Sequence, residues 1–97
     1  MDLKTIMQVL DITTVYRTKV KVLISDNGHL FSDSIFNRLC YYYLTIEKTL
    51  SIIEVILLET SGDNITNIDL LVELRNSLNE CTEVEKYFSG YVSFVSH

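Results

Sequence analysis

One stretch limits what the chain can become. Ser34 to Glu59, SIFNRLCYYYLTIEKTLSIIEVILLE, is the longest apolar run in the sequence. Ile35, Leu39, Tyr42, Tyr43, Ile46, Leu50, Ile53 and Leu57 recur at helical spacing and share one face. Ile52, Val55, Ile56 and Leu58 add apolar surface on other sides. As a helix, these 26 residues measure roughly 39 Å at 1.5 Å per residue. Such a helix needs cover on more than one side, from its own chain or from a second copy. It is not read as a membrane span, because Glu47, Lys48 and Glu54 would place three charges near the bilayer centre.

The rest of the chain is short. Ninety-seven residues are expected to form one helical domain, 1–97. A domain this small buries roughly 60–65% of its unfolded surface, so self-association is a common aid to its stability. The net charge of −5 is unevenly spread. Residues 1–32 carry four basic and three acidic side chains, and residues 33–97 carry four basic and ten acidic. An acidic body disfavours direct duplex DNA binding and suits a basic protein partner. Cys40 and Cys81 have no C-x-x-C spacing, and they read as free thiols in a reducing cytoplasm. The start, MDLKTIMQVLDITT, lacks the basic opening and unbroken apolar core of a secretory leader.

Taken in order, Asp2 is placed to cap a first helix carrying Leu3, Ile6, Met7 and Leu10. Two readings stay open for residues 15–31. Val20, Val22 and Ile24 alternate as in a strand, and Asp26-Asn27-Gly28 suits a turn, so a short β-hairpin near residues 19–31 is one. The other is a helix from residue 3 to about 25, closed by Asn27 or Gly28 in a left-handed cap. The rhythm Val9, Ile12, Tyr16, Val20, Leu23 favours the helix. Ser32 or Asp33 caps the long helix, and Gly62 ends it with a positive φ. Thr66 with Asp69 reads as a capping box, with Ile65 and Leu70 as a hydrophobic staple. A third helix is expected from Asn67 to about Asn79, with Ile68, Leu71, Leu74 and Leu78 inward. Thr82 and Glu85 suggest a second box opening a fourth, with Val84, Tyr87, Phe88, Tyr91 and Val95 inward. Gly90 weakens its middle. The expected fold is all-α: a bundle of about four helices around the long one.

No catalytic constellation assembles from these residues. His29 and His97 have no nucleophile or carboxylate at a telling spacing, and no glycine-rich phosphate loop occurs. Neither an enzyme, a metal site nor a cofactor is expected. Arg17, Lys19 and Lys21 form a weak basic patch, too small for a phosphate track unless a dimer gathers two copies. Tyr41-Tyr42-Tyr43 is more telling. Consecutive helical residues point about 100° apart, so at least one ring should leave the core, and tyrosine suits an interface. Glu54, among isoleucines and valine, either marks an exposed stripe or pairs across a subunit boundary.

From about Glu47 onward, the loop Ser61-Gly62-Asp63-Asn64, then Ile65-Thr66-Asn67 and the pattern Ile68, Leu71, Leu74, Leu78, resembles the YmgB/AriR family of small enterobacterial regulators of biofilm formation and acid resistance. The resemblance spans about residues 47–95. It implies a cytoplasmic, all-helical dimer acting on gene expression through protein contacts or DNA, with no catalytic residues. The expected function is therefore a small regulator that binds a protein partner as a homodimer, with Tyr41, Tyr42, Tyr43, Glu73, Glu80 and Glu83 as contacts. An immunity protein against a toxic bacterial enzyme fits the same acidity and size, because carboxylates dock well on a basic active site. A secretion chaperone shares this signature.

Overall fold

The computed structural model describes residues 2–60, 62 and 65–96, with side chains up to residue 86. The described residues form three long helices: α1 (Leu3–Asn27), α2 (Asp33–Glu59) and α3 (Ile68–Ser96). They run up, down and up, within an envelope of 46 × 23 × 19 Å. Each helix is held by a repeat of three and four residues. In α2 the buried positions are Leu39, Tyr42, Thr45, Ile46, Thr49, Ile53 and Ile56. In α1, Ile6, Thr13 and Val20 lie seven apart. In α3, Leu70, Leu74, Ser77, Cys81 and Val84 keep the same beat. This is the spacing with which helices pack nearly aligned, as in left-handed bundles.

The core has two apolar ends and a polar middle. At one end Val20, Leu23, Leu39, Tyr42 and Ile46 pack together. At the other are Ile6, Ile53, Ile56 and Leu74. Between them lie the buried hydroxyls of Thr13, Thr49 and Ser77. Thr49 Oγ1 donates to the Thr45 carbonyl at 2.9 Å and is 2.5 Å from Ser77 Oγ and 3.5 Å from Cys81 Sγ. Among the described residues, no buried side-chain polar atom lacks a partner.

The expected helix count and hairpin are corrected. There are three helices, because the third and fourth expected helices are one continuous α3. Thr82 does not cap a new helix; its hydroxyl donates to the Leu78 carbonyl at 3.0 Å, inside the turn. No strand occurs among the described residues, and residues 19–27 are helical. Val20 is buried, Val22 exposed and Ile24 half-buried, which is a helical distribution and not an alternating one. Burying Val20 and Leu23 outweighs the few tenths of a kcal/mol that β-branched residues cost a helix.

The helix ends follow local chemistry. Asp2 Oδ1 accepts from the Thr5 amide at 2.8 Å, and hydrogen bonds from Thr5, its side chain first and its amide second, lower the Asp2 carboxyl pKa. Ser32 Oγ accepts from the Ile35 amide at 3.3 Å. The cap of α3 is Asn67, not Thr66: Asn67 Oδ1 accepts from the Leu70 amide, and Asn67 Nδ2 donates to Glu59. Ile68, expected inward, is exposed as a result. Gly62 has φ 75°, as expected for the end of α2. Gly28 does not form the expected left-handed cap; its φ is −57°, inside a single 3-10 turn, Gly28–Leu30. A side chain there would meet the Phe36 ring, with Cε2 2.7 Å from an added Cβ. The expected inward residues Tyr87, Phe88, Tyr91 and Val95 lie outside the described side chains, as do Ser61, Asp63, Asn64 and His97 outside the described residues.

Candidate interaction site

The tyrosine triplet divides three ways, as helical geometry requires. Tyr42 is buried in the core, which removes it from the expected contact surface. Burial also pushes its phenol pKa well up. Tyr43 is half-buried on the α1 side, and its hydroxyl bonds to Glu47. Tyr41 is 53% exposed on the α3 side, where its hydroxyl donates to Glu80. That bond, and the charge of Glu80, raise the Tyr41 pKa. A further pair, Tyr16 with Glu85, ties α1 to α3 and raises the Tyr16 phenol in the same way.

Tyr41 therefore leans on an acidic stripe. Asp69, Glu73, Asn76, Glu80 and Glu83 recur at four, three, four and three residues along α3, beside its buried face. Glu73, Glu80 and Glu83 thus share one side of the helix, and Asp69 joins them. Only Glu83 has an ion-pair partner there among the described residues, Lys86 at 3.6 Å. The stripe spans fourteen residues, or about 21 Å.

The basic residues do not form one patch. Arg17 and Lys21 stand one turn apart on α1 and face α2, whereas Lys19 lies over the Tyr16 ring, 5.7 Å from its centroid. Arg17 reaches Glu47 at 3.7 Å.

On the side away from α3, a groove runs between α1 and α2. It holds two hollows. One, of about 390 Å³, is lined by Leu10, Thr14, Arg17, Leu50, Glu54 and Leu58 among others. The second, of about 350 Å³, is lined by Lys21, Ile24, Ser25, Cys40, Tyr43 and Leu44. Leu44 and Leu58 are 64% and 79% exposed at its rim. The main apolar face of the sequence does not point to this groove. Its signal was a second stripe on α2, Leu44, Ser51 and Leu58 at intervals of seven, outside the main apolar face.

The described residues hold no group of His, Cys, Asp and Glu able to bind a metal ion. No described helix is long and apolar enough to cross a membrane. Both cysteines are free and half-buried, and burial raises the Cys81 thiol pKa. His29 sits exposed in the 3-10 turn. The chain matches no known family model, no curated protein and no solved structure.

Proposed function

We propose that this protein is a small, non-enzymatic, cytoplasmic regulator that works as a homodimer by binding a basic protein partner. The observation that carries the proposal is the Tyr41–Glu80 hydrogen bond inside the α3 carboxylate stripe. It fixes an exposed aromatic ring against Glu80, in the same stripe as Glu73, so the surface offers apolar area and negative charge together. Aromatic rings of this kind anchor interfaces, and unpaired carboxylates steer and align a cationic partner. The regulatory sense rests on the resemblance to YmgB/AriR proteins.

The test is affinity capture from a cell extract with the wild type and with Glu73→Lys/Glu80→Lys. The expected result is a defined protein held by the wild type, released as salt rises, and lost from the variant. Capture of nothing, or equal capture by the variant, rejects the proposal. A captured toxic enzyme with its active site blocked would assign the same surface to an immunity protein, the second reading that the carboxylates favour.

A further inference from the structure

The groove between α1 and α2 has a symmetry that identifies its occupant. On α1, one hollow is lined by Leu10, Thr14 and Arg17 and the other by Lys21, Ile24 and Ser25. The two exposed leucines at its rim, Leu58 and Leu44, are fourteen residues apart on α2. That spacing is about 21 Å. Ser51, small and exposed, stands midway between the leucines.

We propose that a second copy of this chain fills the groove, with the two α2 helices antiparallel about a two-fold axis beside Ser51. Two-fold pairing is self-complementary: what one copy presents, the other receives. In this arrangement the partner's Leu58 meets the hollow at Ile24, Cys40, Tyr43 and Leu44. The partner's Leu44 meets the hollow at Leu10 and Leu58. Each knob thus finds a hole that its own copy leaves open.

The charges agree with this register. Antiparallel pairing about position 51 puts residue 54 of one helix level with residue 48 of the other. Glu47 is one step along from that level, and Arg17 of α1 reaches it. The partner's Glu54 therefore arrives beside the Arg17–Glu47 pair, with Lys21 one turn away. Within one copy, neither Glu54 nor Lys21 has an ion-pair partner among the described residues. A carboxylate of each copy thereby meets two cations of the other. Oriented pairs of this kind set register. The proposal rests on the homodimer of the functional reading and adds its interface, which leaves the α3 stripe and Tyr41 uncovered.

Three measurements test it. Light scattering across a dilution series is expected to show a dimer down to low micromolar concentration. Leu58→Glu and Leu44→Glu are each expected to weaken it at least roughly a hundredfold, with unchanged helical content, because both side chains project from the single copy. Ser51→Cys, in a Cys40→Ser/Cys81→Ala background, is expected to form a covalent dimer under mild oxidation, since residues on the axis come within disulfide reach. A wild-type monomer overturns the proposal, whatever else then covers the groove, and removes the homodimer from the functional reading as well. A wild-type dimer that survives Leu58→Glu, and whose Ser51→Cys form does not cross-link, overturns this interface alone. Capture by the α3 stripe is read separately and is untouched by either result.

Discussion

At the scale of single residues, the buried polar layer is the feature with most at stake. Thr49, Ser77 and Cys81 satisfy one another across the α2–α3 seam. Thr49→Val removes the shared partner and leaves the Ser77 hydroxyl short of one, which is expected to cost about 1–3 kcal/mol. Thr49→Val/Ser77→Ala is expected to cost less than the two single changes summed. Denaturant unfolding of the four proteins measures this, and strict additivity would show that the hydroxyls are not coupled. The tyrosines carry a pH prediction. Tyr16, Tyr41, Tyr42 and Tyr43 all have phenols raised above the ordinary value of 10.0, Tyr42 by burial and the others chiefly by hydrogen bonds to glutamates. The folded state therefore keeps protons that the unfolded chain loses. Their contribution is complete below pH 10 and is lost as pH rises through the folded values. Tyr42→Phe is expected to flatten this alkaline limb most, because burial acts on Tyr42 alone among the four as the leading cause. Melting temperatures between neutral and strongly alkaline pH would show it. That one tyrosine of the three leaves the core was legible from 100° steps; which one was not, because it depends on where α3 crosses.

At the scale of elements, α3 separates two rules that usually agree. Thr82 and Glu85 have the spacing of a capping box, yet the helix runs through them. A cap signal is worth about 1 kcal/mol, whereas breaking the helix would throw Cys81 and Val84 off the stripe that Leu74 and Ser77 begin. The stronger term wins. Glu83→Pro tests the outcome. In a new helix starting at Thr82, proline at its first position would be harmless. Within a continuous α3 it is expected to cost about 3 kcal/mol or more and to reduce helical circular dichroism. The same contest explains residues 19–27. Alternating valines in sequence spoke for a strand, but the decision belonged to the Leu39–Ile46 face against which Val20 and Leu23 pack. The start of α1 and both ends of α2 were legible because Asp2, Ser32 and Gly62 act within one turn. Thr66 was misjudged because Asn67, one residue on, is an equally good cap and also reaches Glu59.

At the scale of the whole molecule, α1 and α3 cover α2 on two flanks and leave its back open. The excess apolar surface of residues 34–59 told that something must cover it; the sequence alone placed neither the groove nor its hollows, because both depend on the side of the α1–α2 pair that α3 takes. Covering that back with a second copy has a thermodynamic consequence. A dimer that forms only from folded chains stabilises them by mass action, so melting temperature depends on concentration. Over a roughly hundredfold rise in concentration the gain approaches about 2.7 kcal/mol per dimer. For a domain of this length, each kcal/mol moves the midpoint by roughly 4–8 °C. The wild type is therefore expected to melt several degrees higher when concentrated. Leu58→Glu should show a flat line instead. Leu58 is 79% exposed in one copy, so its loss takes little packing from the monomer. The two proteins are expected to melt together when most dilute and to part as concentration rises. Parallel lines, offset by a constant amount, would mean that Leu58 stabilises the single chain and that the back of α2 faces water.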